Sequence, residues 1–164
     1  MSTPKGKAYL LKTHQIGHFY RLRASQIFYS YRDVRTAAVS SLRKFNENIT
    51  IESIRNKIAQ YQIAKRTCDL CIKYEELISN PEYFIQELAR LLDIQVDVAH
   101  IKSITANLKP PTTGDTYSRE TQLHKGHFTH TQDDEWRVVI PNDLQERINE
   151  EFSWWFTECG YPLQ

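Results

Sequence analysis

An α/β layered domain, with a mainly parallel sheet flanked by helices, is the fold class that three observations predict. The chain has 164 residues, 40% hydrophobic and 25% charged, which suits one soluble globular domain with a real core. Short runs of β-branched and aromatic residues alternate with longer runs of helical periodicity. The junctions between them are short and carry helix-start residues such as Asp33 and Asn80-Pro81.

Ala8-Tyr9-Leu10-Leu11 reads as a first strand, ending at Lys12-Thr13-His14. Gln26 to Tyr31 is rich in β-branched and aromatic residues and reads as a second. Asp33 follows as an N-cap, and Val34, Ala37, Ala38, Ser41 and Leu42 recur at helical spacing. Ile51, Ile54, Ile58, Tyr61 and Ile63 predict a helix over Thr50 to Lys65. Asp69 to Tyr74 reads as a third strand, leading into Glu75 and Glu76, which cap or face solvent. Asn80-Pro81 opens a helix with Phe84, Ile85, Leu88, Leu91 and Leu92 on its apolar stripe. Val96 to Leu108 predicts another. Lys109 to Asp134, with Pro110-Pro111 and Gly114, reads as a long loop of the kind that carries function. After Pro141, Leu144, Ile148, Phe152, Trp155 and Phe156 predict one closing helix, stopped at Gly160 and packed on the core by Trp154-Trp155.

Several classes of function are disfavoured. A formal net charge of +1 creates no basic field, so no nucleic-acid partner is expected. No apolar run approaches the ~20 residues that cross a bilayer, so no membrane segment is expected. Three cysteines do not make a disulfide scaffold and suit a reducing compartment. With no apolar stretch near Met1 resembling a signal peptide, the expected location is cytoplasmic. Cys68 and Cys71 form a single CxxC pair, and His124, His127 and His130 recur in a loop without a fixed face, so no metal is expected.

Open α/β sheets bind ligands beyond the carboxyl ends of their strands. Lys12 and His14 follow the first strand, Arg32 the second, and Tyr74 closes the third; Ser40 lies eight positions after Arg32. Two cations, an imidazole, a hydroxyl and an aromatic ring along one edge suit a phosphorylated nucleotide. Arginine contacts phosphate in bidentate fashion, serine adds a hydrogen bond, and tyrosine borders a base.

Four segments, in order, resemble the PAPS-dependent sulfotransferases, which move a sulfuryl group from 3′-phosphoadenosine 5′-phosphosulfate (PAPS) to an acceptor hydroxyl or amine. Lys12-Thr13-His14 resembles the strand end with the family's catalytic lysine and histidine. Arg32 to Ser40 (RDVRTAAVS) is similar to the 3′-phosphate motif, and Ile72 to Leu77 (IKYEEL) to the strand whose tyrosine lies near adenine. Leu123 to Gly126 (LHKG) resembles the late phosphate loop, with His124 where the family has arginine. The chain's end, Cys159-Gly160-Tyr161, is also similar. The resemblance implies a P-loop-NTPase-like sulfotransferase fold over residues 1–164. His14 and Lys12 would be catalytic. Arg32, Ser40, Tyr74, His124, Lys125 and Gly126 would hold PAPS, or its product adenosine 3′,5′-bisphosphate (PAP). The family's opening strand and glycine- and lysine-bearing phosphosulfate loop have no counterpart in the sequence; Thr3-Pro4-Lys5-Gly6 lacks the strand–loop–helix setting. The fold is therefore expected to be incomplete at its N-terminus, with little transfer by this chain alone. The alternatives are a non-catalytic remnant or interaction protein, or one chain of a split enzyme whose partner chain supplies the missing part. A nucleoside-phosphate kinase is disfavoured because GxxxxGK[ST] is absent.

Overall fold

Two parallel strands organise the domain. The computed structural model describes residues 24–107 and 134–163. Strand β1 (Phe28–Tyr31) pairs with β2 (Leu70–Lys73) in the register Phe28↔Leu70 to Tyr31↔Lys73. Asp69 sets that register at the amino end: its carboxylate accepts from the Ile27 N–H at 2.7 Å, and its own N–H donates to the Ile27 carbonyl at 2.8 Å. The strand predicted over Ala8–Leu11 lies outside the described residues.

Between the strands run α1 (Val34–Phe45) and α2 (Ile51–Thr67). The Asp33 side chain accepts from the Arg35 N–H and starts α1; Asn46, at φ 54°, ends it. Helix α2 opens with a reciprocal capping box between Thr50 and Ser53. Its buried side chains, Ile54, Ile58, Tyr61 and Ala64, lie along one face, as the apolar spacing predicts.

After β2 come α3 (Tyr74–Ser79), α4 (Pro81–Leu92) and α5 (Val98–Asn107). Tyr74 is the first residue of α3 and not the last of a strand, which corrects the sequence expectation. Among the described residues the ladder ends at Tyr31↔Lys73, and the backbone turns helical at Tyr74. Glu75 and Glu76 in the first turn suit the positive end of the helix dipole. Helix α4 begins as predicted, with Pro81 in its first turn and Asn80 as N-cap.

The C-terminal part holds α6 (Trp136–Val139), α7 (Asn142–Glu151) and α8 (Ser153–Cys159). The single closing helix expected from the periodicity is broken at Phe152, whose φ of −117° and ψ of 21° turn the axis while its ring stays buried. Gly160, at φ 67°, closes α8 with bonds from the Gly160 N–H to Thr157 and from the Tyr161 N–H to Phe156. The core joins Val34, Ala38 and Val39 of α1 and Ile54, Ile58 and Tyr61 of α2 to Ile148, Phe152, Trp155 and Phe156, with Tyr29 and Tyr31 of β1 packed against it. Trp155 is buried, but its neighbour Trp154 is exposed, so only one of the predicted pair anchors the helix. No helix among the described residues is long and apolar enough to cross a membrane.

Candidate functional site

The strand register decides which side chains meet at the carboxyl edge. Tyr31 faces Lys73, so the next residues, Arg32 and Tyr74, leave the sheet side by side. The Arg32 guanidinium carbon stands 5.0 Å from the centroid of the Tyr74 ring. Two of the predicted site residues, far apart in sequence, are thereby brought into contact. Tyr74 remains 39% exposed, which leaves aromatic surface open to a ligand. Ser40 lies half-buried in α1, roughly 9 Å along the helix axis from Val34 by the helical rise. Lys12, His14, His124, Lys125 and Gly126 lie outside the described residues, as does most of the predicted loop.

A buried ion pair holds the turn that carries Arg32. Arg35 is fully buried, and its Nε and Nη2 donate to the two Asp33 carboxylate oxygens at 3.0 and 2.6 Å. Nη1 donates to Asn149 Oδ1 at 3.2 Å and Nη2 also to the Pro162 carbonyl at 3.0 Å. Its guanidinium lies 3.9 Å from the Trp136 ring centroid and 4.3 Å from that of Phe156. The carboxylate of Asp33 is thus paired with the buried guanidinium of Arg35. The sequence carried a signal for this: Arg35 precedes Val39 by four, on the buried face of α1, where a charge needs a partner.

A second set of contacts binds the C-terminal tail to the other strand end. The Lys73 ammonium donates to the carbonyls of Cys159 (2.9 Å) and Gly160 (3.4 Å) and lies 4.1 Å from the Tyr161 ring centroid. The Tyr161 hydroxyl donates to Glu75 Oε2 at 2.9 Å, and its ring stacks on Trp155 at 5.4 Å. Burial, then the bond to Glu75, holds the Tyr161 phenol above its ordinary range. Lys73 and Tyr161 lie in segments that resemble the family, but their contact with each other is not visible in the sequence, because they are distant in the chain.

Beneath the edge the chemistry is quiet. Burial pushes the Tyr29 and Tyr31 phenols up to about 12. Burial, followed by the neighbouring Cys68, raises the Cys71 thiol to about 12 as well, so it stays protonated at neutral pH. Cys68 and Cys71 do not form a disulfide, and Cys68 caps α2 whereas Cys71 lies in β2. A cavity of about 140 Å³ opens beside the Asp33–Arg35 pair and is lined also by Glu75, Asp134 and Tyr161. A larger groove of about 450 Å³ lies instead between the amino ends of α2 and α7, and none of its lining residues belongs to the strand ends.

The geometry therefore offers a guanidinium and an aromatic ring in one place, at the sheet edge where nucleotides bind in folds of this class. Over residues 8–160 the chain matches the model of the sulfotransferase domain. The chain belongs to the sulfotransferase family. No curated protein and no protein of solved structure matches this sulfotransferase. The family's chemistry is transfer of a sulfuryl group to an acceptor, generally from PAPS. The parallel strand pair with its intervening helices is compatible with the α/β class.

Proposed function

We propose that this sulfotransferase uses PAPS as donor, and that residues 1–164 belong to one P-loop-NTPase-like domain acting on an acceptor hydroxyl or amine. The observation that carries this reading is the Arg32–Tyr74 pair at the ends of neighbouring parallel strands. A 3′-phosphoadenosine unit carries an anion and a flat base on one ribose, and a guanidinium beside a partly open phenol ring fits both. Bound PAPS supplies the sulfuryl group, and PAP is its leaving group.

The chain's own residues do the rest. Arg32, Ser40 and Lys125 hold the 3′-phosphate, with His124 and Gly126 shaping the same loop, and Tyr74 borders the adenine. His14 takes the acceptor proton as general base, its ordinary pKa being close to neutrality. Lys12 offsets charge that develops at the reacting group. Fixing the nucleotide at two points orients the donor toward the acceptor. Three cysteines are too few for a disulfide scaffold, which suits a reducing, cytoplasmic setting.

Calorimetric titration of PAP into the full chain tests the nucleotide half of this reading. Micromolar binding is expected, weakened roughly 10- to 100-fold by Arg32→Ala, the range of a charged hydrogen bond. Absence of binding at millimolar PAP would overturn the reading. For the chemistry, transfer from labelled PAPS, expected to be weak in a chain without the phosphosulfate loop, should fall further by about two to four orders of magnitude in His14→Ala. A loss below about tenfold with PAP affinity intact removes His14 from the role of base.

A further inference from the structure

The two residues that flank Tyr74 are both held by the same short stretch of chain. Lys73 is bound by the last carbonyl of α8, Cys159, and by Gly160, and it lies over the Tyr161 ring. These carbonyls have no partner within the helix, and an ammonium at the negative end of the dipole satisfies them. Glu75, on the other side of Tyr74, accepts the Tyr161 hydroxyl. The tail itself is referenced to the core, because Tyr161 stacks on buried Trp155 with ring planes 20° apart. One residue later, the Pro162 carbonyl accepts from Arg35, three positions after Arg32. Four consecutive residues, Cys159 to Pro162, thus grip the end of β2 and the start of α1 together.

We propose that this C-terminal strap is a positioning device for the nucleotide site: it sets the spacing between Arg32 and Tyr74, so Lys73, Glu75 and Tyr161 are positioning residues for the donor. The inference rests on the proposed PAPS reading, since it needs both residues to touch one ligand. The left-handed turn at Gly160 is what sends the tail across the strand end rather than onward along the helix. A built Cβ there would stand 3.7 Å from the Lys73 ammonium, an ordinary contact, so the turn's demand is conformational rather than spatial. Tyr74 itself stays partly exposed, so its backbone is fixed through its neighbours while its ring remains open to a ligand.

The test is PAP titration at 25 °C on the full chain and on Tyr161→Phe, Lys73→Met and Glu75→Gln, each first shown by tryptophan fluorescence to be folded. Tyr161→Phe keeps the stack on Trp155 and loses only the bond to Glu75. It and Lys73→Met should weaken PAP about tenfold, as loss of a supporting residue does at other ligand sites. Glu75→Gln still offers an oxygen to the phenol and should bind within about twofold of the unsubstituted chain, a rescue that a charge effect alone would not give. Lys65→Ala, which removes a contact to Glu158 of the same helix outside the strap, should leave affinity unchanged. Folded Tyr161→Phe and Lys73→Met chains that bind PAP normally would overturn the strap, while Arg32→Ala still weakens binding. If the unsubstituted chain binds no PAP, it is the donor reading that fails.

Discussion

Replacing Asp33 by alanine strands a fully buried arginine. In the native chain Arg35 donates to both Asp33 oxygens, to Asn149 and to the Pro162 carbonyl, between the Trp136 and Phe156 rings. Asp33→Ala removes the only carboxylate on this guanidinium among the described contacts, together with the N-cap of α1. Losing one member of a buried pair costs about 3–5 kcal/mol, and losing a cap about 1 kcal/mol. The two losses overlap, so about 4 kcal/mol is the expected total. Against a typical stability of about 5–15 kcal/mol, the variant stays folded with a narrow margin. In urea, with a slope near 2 kcal/mol per molar, the midpoint should fall by about 2 M, read from the fluorescence of buried Trp136 and Trp155. The double variant Asp33→Ser/Arg35→Met tests the cause. Serine keeps the cap, and methionine fills the slot between the rings without a charge. It should recover at least half of the loss, because a buried ion pair exchanged for packed apolar groups is often neutral. A midpoint shift below about 0.5 M in Asp33→Ala, or a double variant as unstable as the two single losses combined, would refute the reasoning.

Trp155→Ala should cost about 3–5 kcal/mol and lower the melting temperature by about 10 °C, whereas Trp154→Ala, at a position 43% exposed, should change stability by less than about 0.5 kcal/mol; equal effects would contradict the packing described. The Lys65 ammonium, and after it the Tyr61 hydroxyl, hold the Glu158 carboxyl below its ordinary value of 4.5, although burial opposes them. A lowered folded pKa gives stability that is present above 4.5 and is lost as pH falls through the folded value. Glu158→Gln should therefore be slightly less stable than the native chain at pH 7, by under about 1 kcal/mol for so exposed a pair, and the difference should vanish in acid. Urea midpoints at the two pH values measure it, and a difference that grows in acid would reverse the sign argued here.

Much of the fold was legible because it rests on short-range rules. Asp33 caps its helix, Asn80-Pro81 opens one, and Gly160 stops α8, as expected from their residue types. The strands at Phe28–Tyr31 and Leu70–Lys73 fall within the predicted runs. The misplaced features depend on distant partners. Tyr74 continues the apolar run of β2, yet the ladder ends because β1 turns away at Arg32. The helix after Pro141 breaks at Phe152, where keeping that ring in the core outweighs unbroken periodicity. Of the candidate site, Arg32, Ser40 and Tyr74 were named from residue type and spacing, but the strap of Lys73, Glu75 and Tyr161 was not, since each of those side chains is ordinary in its local setting.

The sequence by itself determined the alternation of strands and helices, the points where helices begin and end, and the residue types available at the strand ends. Such features depend on neighbours within a turn or two, so a linear reading captures them. Only the tertiary structure decided that Arg32 meets Tyr74, that Arg35 is buried against the carboxylate of Asp33, and that the tail binds the end of β2 and the start of α1. Those choices follow from strand register and from the need to pair every buried charge, and both are settled between parts of the chain brought together only when the core closes.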